Sequence, residues 1–72
     1  MAEGVILARA IVMHFGKELA ADFKKGGGVP ELEPRVFDLA EIAVPGIDLE
    51  GFTPNRLAQA VAKRLYETEL IS

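Results

Sequence analysis

Apolar residues recur in steps of three and four along the first third of the chain: Val5, Ala8, Ile11, Val12, Phe15, Leu19 and Phe23. At about 100° per residue these positions fall on one broad stripe, so the spacing predicts an amphipathic helix from Glu3 to Lys25. Lys24 and Lys25 sit in its last turn, where cations favour the negative end of the helix dipole. Gly26, Gly27 and Gly28 follow, then Pro30, and together they stop the helix.

A second helical pattern runs from Pro54 to Leu70. Leu57, Ala58, Val61, Ala62 and Leu65 share one face, and Arg56, Gln59, Lys63 and Glu67 the opposite one. Its start carries every local signal. Thr53 can cap with its hydroxyl, Pro54 takes the first helical position, and Phe52 and Leu57 are spaced for a hydrophobic staple.

Between the helices, "VFDLAEIAV" (Val36 to Val44) is rich in β-branched and aromatic residues and predicts a strand. Its two faces are both mostly apolar, as in a strand covered on two sides. A short helical turn through "FDLAEIA" is the competing reading. Pro45-Gly46 marks a corner after it. The preceding "GGGVPELEP" reads as part of a flexible linker at about residues 26–35. The expected fold is therefore α+β in a single small domain, residues 1–72: a long N-terminal helix, a short strand and a C-terminal amphipathic helix. "GVPELE" or "GIDLEG" is a candidate second strand.

This arrangement leaves apolar residues without an obvious cover. Ile6, Ala10, Met13 and Ala20 lie off the main stripe of the first helix, on the side that also carries Arg9, Lys17 and Lys24. Ile6, Met13 and Ala20 recur every seven residues, the spacing of a helical seam. Gly16 costs up to about 1 kcal/mol relative to Ala inside a helix. Either it permits a close approach by another backbone or a bulky side chain, or it is simply tolerated. Leu70 and Ile71 leave the stripe of the second helix, and a lone strand exposes unpaired backbone groups on both edges. These features nominate Ile6, Ala10, Met13, Gly16, Val36, Leu39, Ile42, Leu70 and Ile71 as contact residues. The expected state is a homo-oligomer, dimer or higher, or a place in a larger protein assembly.

Composition sharpens this. In a chain of 72 residues, half of them apolar, the surface-to-volume ratio leaves little room to hide so much apolar surface. Cysteine is absent, which removes disulfides, thiolate metal sites and a Cys nucleophile. The net charge of -3 argues against nucleic-acid binding by bulk charge. No signal peptide is recognised, and Arg9, His14, Lys17 and Glu18 interrupt the apolar start, so a cytoplasmic chain without membrane insertion is expected.

Little catalytic chemistry is offered. His14 and Glu18, one turn apart, are the only candidate acid–base pair, and a surface hydrogen bond is their commoner use. The sole serine is Ser72, which disfavours a hydrolytic triad. Asp48 and Glu50 in "IDLEG" lack the spaced oxygen ligands of a calcium loop. "GKE" at Gly16 lacks the rest of a phosphate-binding motif. No catalytic, cofactor or metal residue is assigned, and the chain is not expected to be an enzyme. The alternative to an adaptor is a small nucleic-acid-associated regulator, with Arg56, Lys63 and Arg64 meeting phosphates and Tyr66 nearby. Glu67, Glu69 and the acidic segment from Glu31 to Glu50 dilute that patch.

From Val36 onward, "VFDLAEIAVPGIDLEGFTPNRLAQAVAKRLYETEL" resembles small strand-then-helix segments of proteins associated with phage-tail-like contractile injection systems. The resemblance covers about half the chain and rests on pattern. It implies a small structural or accessory component of a larger particle and carries no functional residue with it.

Overall fold

Val29, Leu32, Val36, Leu39, Ala40 and Ala43 recur at helical spacing, and in the computed structural model of the chain they form the inner face of a helix. The structure describes residues 2–71, with side chains from residue 4 onward. Its elements are α1 (Ala2–Asp22), α2 (Val29–Ala43) and α3 (Pro54–Glu67). Among the described residues there is no strand, so the expected α+β class is corrected to all-α.

The reason is visible in the residues. A strand through Val36–Val44 would have to bury both of its faces, but a helix buries Val36, Leu39 and Ala40 on one face and turns Asp38, Glu41 and Ile42 outward. The helix also gains Val29 and Leu32, which an extended linker would leave in water. The linker expected at about residues 26–35 shrinks accordingly to the glycine turn. α2 tolerates Pro30 in its first turn, where no N–H bond is lost. Pro34 lies further inside and removes one ladder bond.

Phe23–Gly27 extends α1 as a widened turn that breaks at Gly26, whose φ of 110° is a conformation glycine alone reaches cheaply. Arg35 of α2 then pairs with Asp22 across the break. α2 ends with the Val44 N–H donating to the Ala40 carbonyl at 2.8 Å. Two tight turns lead to α3. In the first, Pro45-Gly46 is the corner and the Ile47 N–H donates to the Val44 carbonyl at 3.0 Å, with Gly46 at φ 83°. In the second, the Phe52 N–H donates to the Leu49 carbonyl at 3.0 Å, and the Asp48 carboxylate accepts from the Glu50 N–H at 2.9 Å. Asp48 thus has a local structural task. Thr53 caps α3 as its sequence position implies: Oγ1 accepts from the Arg56 N–H at 3.2 Å.

α1 and α3 run in the same sense. Gly4 lies beside Phe52, and at the other end Phe23 meets Tyr66 edge-on, with ring centroids 6.1 Å apart. All three helices feed one core, centred on Ile11, Leu19, Leu32, Val36, Leu57, Val61 and Leu65. Among the described residues no polar or charged side chain is buried.

After α3 the chain folds back on itself. The Leu70 N–H donates to the Leu65 carbonyl and the Glu69 N–H to the Tyr66 carbonyl, both at 3.0 Å. This is the Schellman arrangement, with Glu69 at φ 63° in the position usually given to glycine. It aims Ile71 into the core and Leu70 at α1.

Candidate binding surface

Gly16 shows where the tail goes. A Cβ at this position would stand 2.8 Å from Leu70 Cδ1 and 3.1 Å from Val12 Cγ1. The close neighbour that Gly16 admits is the chain's own C-terminal tail. Of the nine contact residues nominated above, several are therefore used internally. Val36, Leu39 and Ile71 are buried in the core, Gly16 is covered, and Leu70 packs half-buried against it. Their apolar surface is already satisfied within one chain, and the unpaired strand edge that nominated Val36 and Leu39 does not exist. Ala20, the third member of the seven-residue seam, is buried too.

Ile6, Met13 and Ile42 remain outside, at 62%, 80% and 64% exposure, and Ala10 is half-buried. On α1 the spacing of Ile6, Arg9, Met13 and Lys17 makes a single outward ridge, and all four are exposed. Seven residues of helix put Ile6 and Met13 about 10 Å apart along the axis. Neither Arg9 nor Lys17 takes part in the ion pairs found among the described residues, which join Arg35 to Asp22 and Arg64 to Glu67. The outer face of α2 has the opposite character. Asp38 and Glu41 flank exposed Ile42 there, with Arg35, engaged by Asp22, two turns back on the same face and Glu31 beyond it.

A separate open cleft of about 1010 Å³ lies between the start of α1, the α2–α3 connection and α3. Val5, Phe52, Leu57 and Ala60 line it, with Asp48 and Glu50 on the connection and Arg56 and Lys63 on α3. Periodicity missed this feature because it placed Val5 on the core stripe, whereas Val5 is half-exposed at the cleft. The seven-residue spacing of Arg56 and Lys63 around Ala60 was the available signal for one wall. Of the basic trio on α3, Arg64 stands apart: it is half-buried and its Nη1 lies 3.5 Å from Glu67 Oε1.

The remaining candidates sit as follows. His14 is exposed beside Phe15, with ring centroids 6.2 Å apart, and no hydrogen bond joins it to Glu18 among the described residues. No group of three or more His, Asp or Glu side chains gathers in metal-holding geometry among those residues. Ser72 lies outside them. No helix of the described chain is long and apolar enough to cross a membrane.

Comparison with family models, with curated proteins and with solved structures finds no match to this chain. The resemblance to strand-then-helix segments rests on a pattern whose strand part, Val36 to Val44, is helical up to Ala43.

Proposed function

We propose that this chain works by protein–protein contact, as a small helical adaptor in a cytoplasmic multiprotein assembly, and that the outer ridge of α1 is its docking face. One observation carries the reading. In a fold that buries Ile71 of the tail, one face of α2 and Ala8, Gly16 and Ala20 of α1, Ile6 and Met13 stay in water on a single ridge. Burying each would contribute roughly 1.5–3 kcal/mol. Methionine suits such a face because its flexible thioether adapts to irregular partners. Arg9 and Lys17 beside them supply charge that orients the contact.

The test is positional crosslinking in the native cell. A photo-reactive residue at position 6 or 13 is expected to capture a protein, whether another copy or a different chain. The same residue at Gln59, which is exposed on α3 and lines the cleft, compares capture at the α1 ridge with capture at the cleft. Equal capture at all three positions, or capture at Gln59 alone, rejects α1 as the docking face.

Arg56 and Lys63, both exposed on one wall of the cleft, favour a second reading, association with nucleic acid. Asp48 and Glu50 on the facing side and the Arg64–Glu67 pair weigh against it. A salt-sensitive gel shift abolished by Arg56→Glu with Lys63→Glu would establish it; no shift at low salt would remove it.

A further inference from the structure

The charges of this chain are sorted by element. Residues 29–52 hold Glu31, Glu33, Asp38, Glu41, Asp48 and Glu50 against Arg35, and Arg35 is itself engaged by Asp22. The outer face of α2 is consequently acidic around one exposed aliphatic side chain, Ile42. The ridge of α1 is basic around two, Ile6 and Met13. Each face has what the other lacks: cations flanking apolar side chains on α1, carboxylates flanking an apolar side chain on α2.

We propose that the occupant of the α1 ridge is a second copy of this chain, presenting the outer face of its α2. The inference rests on the reading of α1 as a docking face and adds the partner and its orientation. A symmetric contact between two α1 ridges is the obvious competitor. It would bring Arg9 and Lys17 of one copy against the same cations of the other, and like charges across an interface are unfavourable. Joining α1 of one copy to α2 of the next places Arg9 and Lys17 beside Asp38 and Glu41, with Glu31 further along and Arg35, the one cation on that face, already paired with Asp22, and it covers Ile6 and Met13 with Ile42. Such a contact uses different surfaces on its two sides. Two copies related by a two-fold axis can make the contact reciprocally and close as a dimer; where the geometry does not allow that, every added copy brings a fresh α1 ridge and the chain builds a ring or an open string.

The experiment is charge reversal in full-length chains, read by light scattering over a wide concentration range. Arg9→Glu with Lys17→Glu gives one variant, and Asp38→Lys with Glu41→Lys the other. All four positions are exposed, and helicity and melting are measured first to check that both variants fold. The wild type is expected to exceed its monomer mass of 7.8 kDa progressively with concentration. Each variant alone is expected to associate at least about tenfold more weakly, because each sets like charges against each other. An equimolar mixture of the two variants is expected to return to within about threefold of the wild type, since reversed α1 now meets reversed α2.

Three results overturn the inference and separate it from the reading beneath it. If the α2 variant associates like the wild type and the mixture rescues nothing, α1 meets something other than α2, and the docking face stands. If the wild type stays monomeric throughout, the occupant is not a second copy, and the face is left to a different protein. If the α1 variant associates as well as the wild type, copies meet without the ridge, and both the inference and its premise about α1 fall.

Discussion

Glu69 holds a φ of 63°, and a side chain in that region crowds its own backbone. The two hydrogen bonds of the tail turn keep it there. Glu69→Gly is expected to keep those bonds and remove the crowding, raising stability by about 1 kcal/mol in urea unfolding. No change, or a loss, would mean the turn is not strained. Gly16 supplies a paired test. Gly16→Ala alone gains helix propensity but pushes on Leu70, whereas in a Leu70→Ala background the larger clash is gone and up to about 1 kcal/mol is gained, less what the remaining 3.1 Å contact with Val12 costs. A double-mutant cycle should therefore be non-additive, and simple additivity would show that Gly16 and Leu70 do not meet. At this scale the sequence was readable where local chemistry decides. The Thr53 cap was visible, and the close approach at Gly16 was one of two readings its position left open. The left-handed Glu69 was not, because nothing in a glutamate marks that conformation.

α2 is the element whose nature was hidden. Glycines before it and Pro34 within it read as linker, and Val36 to Val44 alone fits two periods. The pattern becomes helical only when Val29 and Leu32 are included, and tertiary burial then outweighs the weak local preference. Leu32 accordingly separates the two descriptions. As a core residue at 2% exposure, its replacement by Ala should cost about 2–5 kcal/mol in thermal or urea unfolding, whereas a linker residue would cost nothing measurable. Pro34→Ala should restore a missing backbone bond and stabilise by about 1 kcal/mol or more, since proline is the worst interior helix residue. α1 and α3 were legible because their stripes are long and their ends are marked.

For the whole molecule, the surplus of apolar residues was real but overcounted. A third helix and a docked tail absorb Val36, Leu39, Ala20 and Ile71, leaving Ile6, Met13 and Ile42 outside, with Val5 and Tyr66 half-exposed. The acidity of residues 31–50 was legible as composition. Its arrangement around Ile42 was not, because only a helix brings Asp38, Glu41 and Ile42 to one side. If opposite faces of successive copies meet, added salt should weaken association before it weakens folding: attraction between exposed charges is screened within about 10 Å at 0.1 M salt, while the core holds no charge to screen. Light scattering and thermal melts over the same salt series check this order.

A wholly apolar interior has a consequence for how tightly this fold defines itself. With no buried polar pair among the described residues to reward one register over its neighbours, the core is indexed by shape, and the polar ties between helices, Arg35 to Asp22 and Asn55 to Glu33, lie at the surface. The notches are alanines, one from each helix: Ala8, Ala40 and Ala58, at 2%, 0% and 0% exposure. Enlarging a notch, as in Ala58→Leu, would jam the lock rather than enrich the core. A bundle so altered would lose its sharp melt and its dispersed spectrum while remaining helical, having traded one packing for many.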